Sequence, residues 1–369
     1  MKKKLTLSLL LGAGVSAAAL YFAFKNVPFK ALVDYLTTIN YGWVVPSVAV
    51  ALLTFVIRAI RWQVILGGKA AGIGFWQAFH PMMIGFMINC ILPGRAGEVA
   101  RPIILSKKNK VPFTTGLATV AAERVFDVGL LIVFFAVVLA NVRMDPDLMI
   151  SYGKYRLNRG VLEMIAGGML KASLVLVAGI VLLSLQKVQQ WIKAAIYKIP
   201  SLLIGAGPDF KSKVREKLSL PLARLVENFA AGFSLIKRPL KIVICILLSF
   251  LVWYLSALSY YLMALGCPGI NLTFLELSAV MIIVCFFIAL PSVPGFWGIW
   301  EAGGVFALSI FGVPAKEAAG MTLVVHAISV FPVIIVGLIS AVITGINIWR
   351  ITYAKVEQGE TSPLMQRGL

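Results

Sequence analysis

The chain is poor in almost everything that a soluble enzyme uses for chemistry. Of its 369 residues only 13% are charged, four are cysteine and two are histidine. His80 and His326 have no metal-ligand spacing, and no phosphate-binding glycine loop, serine-nucleophile motif or soluble catalytic domain is visible. The sequence therefore predicts no metal, no cofactor and no enzyme. Cys90, Cys245, Cys267 and Cys285 include no CxxC pair, and three of them lie in or beside apolar runs, so neither a disulfide framework nor a thiolate metal site is indicated. Acidic residues are scarce as well, 15 against 34 Lys and Arg, for a formal charge of +19. That charge raises the question of nucleic acid. The basic residues flank apolar runs rather than lining one soluble face, so a positive-inside bias is the simpler cause and no nucleic-acid partner is expected.

What the chain has instead is apolar length. Hydrophobic residues make up 60% of it, in runs near 5–24, 43–57, 128–140, 172–185, 242–266, 277–290 and 321–349. A bilayer core of about 30 Å takes about 20 helical residues per crossing, so the chain is expected to be an all-α polytopic membrane protein. The opening MKKKLTLSLLLGAGVSAAALYFAF also fits a secretory signal with a cleavage region at Ala17–Ala19. Its apolar run continues to Phe24, longer than a typical signal core, which favours an uncleaved first helix.

Threading the chain by its charges gives about six full spans plus two re-entrant helical hairpins. With Lys2, Lys3 and Lys4 inside, the second span returns Arg58, Arg61 and Lys69 to the inner side. The next basic cluster is Lys107, Lys108 and Lys110, with one apolar segment between. A hairpin over 77–105, turning at Pro93 and Gly94 and leaving on the side from which it came, keeps both clusters inside. By the same reasoning 275–312, which contains LPSVPGFWGIWEAGG, is a second hairpin inserted from outside. The expected organisation is a first helix and loop (1–42), unit one (43–141), a connecting span and basic cytoplasmic segment (142–241), unit two (242–349) and a cytoplasmic tail (350–369). This threading puts 24 of the 34 basic residues inside, eight outside, and Arg95 and Arg124 within the membrane. Residues 187–241 carry eleven Lys or Arg against three acids, including amphipathic runs such as VQQWIKAAIYKI and LARLVENFAAGFSLI. They read either as surface helices attracted to anionic lipid or as a solvated linker.

The two units match in outline. LPGRAGE ends at Glu98 and PGFWGIWE at Glu301; Glu123 and His326 each follow 25 residues later. Oppositely inserted units of this kind form an inverted repeat, whose broken helices make transporter sites near the midplane. Pro93, Gly94, Gly97, Pro291, Pro294, Gly295 and Gly298 are the expected break points. Ionisable groups at that depth cost about 2.5–3.5 kcal/mol each even on lenient scales, so they are expected paired or facing a cavity. The head-group set is Asn89, Arg95, Glu98, Arg101, Glu123, Arg124, Asp127, Glu301 and His326. Arg124 and Asp127 are placed to pair at i, i+3, leaving Glu123 for Arg95 or Arg101. This set is either an ion-pair pin fastening the hairpin or a phosphate site. Arg58, Arg61 and Trp62 of RAIRW are expected at the membrane interface, in contact with head groups, and Glu301 with His326 as a possible proton relay or a plain hydrogen bond.

RAIRW, NCILPGRAGEVAR, AAERVFD and PSVPGFWGIWEAGG, in this order and spacing, resemble the lysylphosphatidylglycerol synthase transmembrane-region family, the flippase-like membrane domain of the multiple-peptide-resistance proteins. The resemblance covers about residues 5–350, and LPGRAGE is its most specific part. It implies a bacterial or archaeal inner-membrane protein, both termini cytoplasmic, that moves a lipid between leaflets. The bifunctional members add a soluble aminoacyl-transferase domain for which this chain has no room before Leu369, so a stand-alone member is expected. The leading expectation is a flippase or transporter for a phospholipid or polyprenyl-phosphate lipid, with homo-oligomerisation left open. The alternatives are an accessory scaffold presenting lipid or glycolipid to a separate transferase, and a membrane-embedded lipid transferase.

Overall fold

Backbone N–H and C=O groups surrounded by hydrocarbon must bond within their own segment, and the chain meets that demand with helices almost throughout. A computed structural model describes residues 2–25, 27–67, 72–92, 95–141, 150–152, 155–157, 185–202, 207–223, 238–289 and 293–347, with isolated helical positions between 167 and 182. The helices are α1 (Lys2–Phe24), α2 (Phe29–Thr38), α3 (Val44–Leu66), α4 (Phe75–Ile91), α5 (Ala96–Asn109), α6 (Phe113–Asn141), α7 (Gln186–Lys198), α8 (Pro208–Val214), α9 (Pro239–Leu265), α10 (Phe274–Phe287), α11 (Ile299–Ile310) and α12 (Ala315–Thr344). A two-stranded antiparallel ribbon, β1 (Ile150–Tyr152) with β2 (Tyr155–Leu157), is the one sheet among the described residues.

The chain is an all-α membrane protein apart from that ribbon. Tyr41–Leu66, Pro239–Leu265 and Ala315–Thr344 are 26, 27 and 30 residues long and apolar enough to cross a bilayer. α6, with 29 residues, has the length but carries three ionisable groups. On α12 the exposed Phe331, Ile335, Leu338, Ile339 and Val342 recur at helical spacing and form one outward apolar stripe. The expected span near 162–186 and most of LARLVENFAAGFSLI fall outside the described residues, as do Pro93, Gly94 and Pro291. VQQWIKAAIYKI forms α7, which exposes Trp191 and Tyr197. The region expected as a loop before residue 43 contains α2, whose Tyr35 donates to the Pro268 carbonyl at 2.9 Å and lies against Gly320.

Each segment expected as a hairpin forms two packed helices separated by a break, α4 with α5 and α10 with α11. In the first, the Asn89 side chain accepts from the Gly97 N–H at 2.7 Å, and Gly85 lies against both Gly97 and the stem of Arg101. These pairings step symmetrically away from the break, as antiparallel neighbours must. Gly97 is therefore a correction to the expected break points. It lies in the first turn of α5, and its missing side chain is what lets α5 touch the Gly85 carbonyl. The break itself is marked by Arg95, in the left-handed region at φ 52°. In the second hairpin, a 3-10 turn at Pro294–Phe296 with Gly295 at φ 70° and Gly298 at φ 89° separates α10 from α11. Gly303 lets α11 close on Phe287 of α10.

The two units exchange contacts reciprocally. α3 and α9 pack together along their lengths, joined by a double serine clasp: Ser47 donates to the Ser259 carbonyl at 2.8 Å and Ser259 to the Ser47 carbonyl at 3.0 Å. Small polar residues are what allow such close approach between helices in lipid. The α4 arm packs on α12, where Gly337 receives Met87, while α10 packs on α6, with Phe135 against Phe286. The hairpin tips meet: Gly295 lies against the Cys90 carbonyl, and Arg95 donates to the Ile288 carbonyl at 3.0 Å.

The glycine contacts yield a stability prediction. Gly97→Ala drives a methyl into the Gly85 carbonyl and is expected to cost about 1–3 kcal/mol as an overpacked site, whereas Gly129→Ala, with open space around it, costs nothing. Thermal unfolding of the two variants in detergent checks this, and equal melting temperatures would refute the close-packed hairpin.

Candidate functional site

The centre of unit one is a lattice of arginines and carboxylates on three helices. α3 projects Arg58 and Arg61 from one face, one turn apart. α5 projects Glu98 and Arg101 in the same way, and α6 supplies Glu123, Arg124 and Asp127 within little more than one turn. Arg61 spans both acids of α6, with Nη1 2.6 Å from Asp127 and Nη2 3.4 Å from Glu123. The other Glu123 oxygen takes Arg101 at 2.7 Å. Asp127 also has Arg58 and Arg124 at 3.5 Å each. Glu98 stands between Arg124 at 3.8 Å and Arg95 at 3.9 Å.

Depth divides this lattice into a floor and a rim. Arg61 and Arg101 are 0% and 2% exposed, Glu123 and Asp127 1% and 4%, so these four are out of reach of bulk solvent. The side chains of Arg58, Glu98, Arg124 and Arg95 are progressively more open, at 14%, 28%, 31% and 42%. The site therefore opens on the side of Arg95 and Arg124, next to the end of α10 that holds Arg95. Aromatic rings insulate the floor: the Arg101 guanidinium lies 4.3 Å over the Trp62 ring, and Arg58 has Phe86 and Trp253 within 5.9 Å.

The charges do not balance. Among the described residues, Arg58, Arg61, Arg95, Arg101 and Arg124 face Glu98, Glu123 and Asp127, an excess of two positive charges. Several donors are also unused: Arg61 Nε, Arg101 Nε and Nη1, and Arg124 Nε are buried without a hydrogen-bond acceptor among the described residues. Guanidinium groups remain protonated in proteins, so neither the charge nor the donors can be removed by titration. A surplus of charge with idle planar donors is the chemistry of a site for an oxyanion such as phosphate.

Unit two places a different pair at its break. His326 and Glu301, both 0% exposed, meet with Nδ1 2.6 Å from Oε1. The other carboxylate oxygen accepts from the Gly298 N–H at 2.6 Å, and His326 Nε2 reaches the Gly295 carbonyl at 2.8 Å. Trp300 stacks on the imidazole and Trp297 tilts against it, with centroids 4.5 and 4.4 Å away. From α1, Ser16 packs on Gly298 and accepts from the Val293 N–H at 3.3 Å.

A family model for the lysylphosphatidylglycerol synthase TM region matches residues 9–337. The chain belongs to that family. Among its relatives, a UPF0104 membrane protein of Methanothermobacter thermautotrophicus is 22% identical over 80% of this chain and 83% of the relative. Those of Pyrococcus horikoshii and Methanocaldococcus jannaschii are 23% and 24% identical over 75% and 85% of this chain and 79% and 88% of the relatives. No solved structure matches. With its long apolar helices and this family, the chain is a multi-pass membrane protein.

Against this lysylphosphatidylglycerol synthase-like frame the expected site residues sort as follows. Arg101, Glu123, Arg124, Asp127 and Glu98 come together, and Glu123 holds Arg101 rather than Arg95. Arg95 instead ties its tip to α10, because the left-handed turn at its backbone aims it at Ile288. Asn89 is a hairpin staple to Gly97. RAIRW is corrected: Arg61 and Trp62 are fully buried and only Arg58 is partly open, because Asp127 and Ser249 take the Arg61 guanidinium inward, at 2.6 and 2.7 Å, and Thr119 takes the Trp62 indole N–H at 3.0 Å. Glu98 and Glu123 share the spacing of Glu301 and His326 but not the contact. Sequence reasoning missed Ser249 and Trp253 of α9. A lone serine inside CILLSFLVWYL is the available signal, since a hydroxyl in an apolar helix usually seeks an interhelical partner.

Because cations exceed acids, the acids carry the stability. Glu123→Gln leaves Arg61 and Arg101 underpaired in the floor and is expected to cost about 3–5 kcal/mol, whereas Arg95→Ala at the rim costs under about 1 kcal/mol. Chemical or thermal unfolding of the two variants measures the difference; the reverse order would contradict the floor-and-rim assignment.

Proposed function

We propose that this protein is a lipid transporter of the flippase type, which passes the phosphate-bearing head group of a phospholipid or polyprenyl-phosphate lipid between leaflets while the acyl chains stay in the bilayer. One observation carries the reading: the two-charge arginine excess with idle buried N–H donors, open on one side and roofed by the meeting tips of two hairpins. A plain structural pin needs neither the excess nor the idle donors, whereas an anionic head group satisfies both. The family name, which joins this membrane region to a phospholipid synthase, supports a lipid as the ligand.

In this reading the hairpins are re-entrant from opposite sides, and the reciprocal packing of α3 on α9, α4 on α12 and α10 on α6 is that of an inverted repeat. The same reading has both termini in the cytoplasm of the inner membrane, which the basic bias supports, and the α7 region against anionic lipid. The chain then acts by transport and performs no covalent chemistry.

Two measurements test this. In phosphatidylcholine vesicles carrying a trace of acyl-labelled phosphatidylglycerol, the protein is expected to exchange the label between leaflets. Arg95→Gln with Arg124→Gln, which cancels the charge excess at the two most open arginines, should lower that exchange by about 100-fold, since a hydrogen bond to a charged group contributes about 1.5–3 kcal/mol. Exchange at the normal rate in the folded double variant would reduce the lattice to a fastener. Cysteines introduced at Ser106 and Thr273 should be labelled from the inside and the outside respectively; labelling of both from one side would remove the opposed insertion.

A further inference from the structure

The transport reading uses the arginines of unit one and leaves the fully buried Glu301–His326 pair unemployed. Its hydrogen-bond partners determine how many protons it holds. Nε2 faces the Gly295 carbonyl, which only accepts, so Nε2 carries a hydrogen. Nδ1 lies 2.6 Å from a carboxylate oxygen, a contact that requires one further hydrogen between the two atoms, whichever of them formally owns it. The pair therefore holds one removable proton. Without it, a nitrogen lone pair opposes a carboxylate lone pair at 2.6 Å.

Removal of that proton has a structural consequence. Glu301 stays with α11, because its second oxygen accepts the Gly298 N–H at the helix start, where a negative charge is favoured. His326 is the member that must turn away, and it then releases the Gly295 carbonyl. Gly295 is the residue of the second tip that touches Cys90 of the first, and Ile288, at the other side of the same break, holds Arg95 of the anion site. One proton thus latches the tip of hairpin two onto the tip of hairpin one.

Among the described residues no other charged side chain touches the pair. Facing it are the Trp297 and Trp300 rings of its own hairpin, Ser16 of α1 at Gly298 and Cys90 of α4 across Gly295. Tyr260 of α9 stands beyond Trp300 across a small cavity, and Tyr35 of α2 lies against Gly320. The charged residues of α12 besides His326 are Lys316 and Glu317, paired with each other at 3.4 Å at its start.

We infer that Glu301 and His326 form a proton site that couples lipid movement to proton movement, making the protein a proton-driven transporter rather than a passive exchanger. In the step, the proton shared by Nδ1 and Oε1 leaves to water when the tip opens to one side, leaving a neutral imidazole and a carboxylate; a proton taken from the other side restores the latch. This rests on the transport reading above. Glu301→Gln isolates the coupling, because its amide oxygen accepts from Gly298 and its NH2 donates to Nδ1, keeping every hydrogen bond without a removable proton.

The test imposes a one-unit pH difference on phosphatidylcholine vesicles with acyl-labelled phosphatidylglycerol. One proton per lipid predicts a steady-state leaflet ratio displaced about tenfold, and an even ratio in folded Glu301→Gln at every gradient. Even distribution in the wild type, with exchange intact, overturns the coupling and leaves transport standing. Absence of exchange under all conditions sinks transport instead, and 15N-histidine NMR then decides the proton site. The chain has two histidines, so His80→Asn leaves His326 alone. Loss of the Nδ1 proton with rising pH while the protein stays folded supports the latch; an unchanging doubly protonated ring, or a ring that never shares the proton, overturns it.

Discussion

Everything in unit one depends on the contact between Arg61 and the two acids of α6. A guanidinium that is wholly out of water can stay charged only if carboxylates meet it, and Asp127 at 2.6 Å with Glu123 at 3.4 Å do so across the α3–α6 interface. Because Glu123 uses its other oxygen for Arg101, the same acid also clamps the returning arm of the hairpin. This ion lattice fastens α5 to α3 and α6 just after the break between α4 and α5. The glycine contacts at Gly85 and Gly97 then follow, since α5 cannot bring Arg101 to Glu123 without lying directly on α4.

How much of this was legible in sequence follows from what each signal measures. Breakers and charges inside an apolar segment violate a strong rule of the bilayer, so both helix breaks and most of the ionic set were visible in LPGRAGE, AAERVFD and PGFWGIWEAGG. The Glu301–His326 contact was legible for the same reason. RAIRW was misplaced because its position near a helix end fits snorkelling and burial equally, and only the partners on α6 and α9 separate the two. Asn89 was assigned to the ligand because polarity alone does not distinguish a side chain that faces a cavity from one that bonds a nearby backbone group, as Asn89 does at Gly97. The helix α2 and the Ser249 contact carry too short or too faint a pattern to be read from periodicity.

The two units share a frame but carry different chemistry. Among the described residues, unit one has five arginines against three acids, and guanidinium groups keep their charge in proteins. Unit two has an acid and an imidazole in contact at 2.6 Å, with no other charged side chain among the described residues in contact with them. A site with fixed excess charge is suited to holding an anion, and a site with a removable proton is suited to changing state. That division would be hard to explain if both hairpins were only packing devices, since packing would be served as well by the apolar contacts of Gly303 with Phe287 and Gly337 with Met87.

The tips make the division consequential. Arg95 belongs to the charged rim of unit one yet donates to Ile288 of unit two, while Gly295 of unit two rests on Cys90 of unit one and is held there by His326. In the proposed cycle, an anion arriving at the rim would compete for Arg95 and weaken one of these two links, and a departing proton would weaken the other. Each event would then lower the cost of the next, because the contact that both must break would already be half undone. Such a pair of sites is coupled by thermodynamic necessity in both directions: whatever makes the proton leave more readily once the anion is bound also makes the anion bind more tightly once the proton has left. In that cycle the geometry sets the sign of the coupling, through the two backbone carbonyls of unit two, Ile288 and Gly295, that take Arg95 and His326.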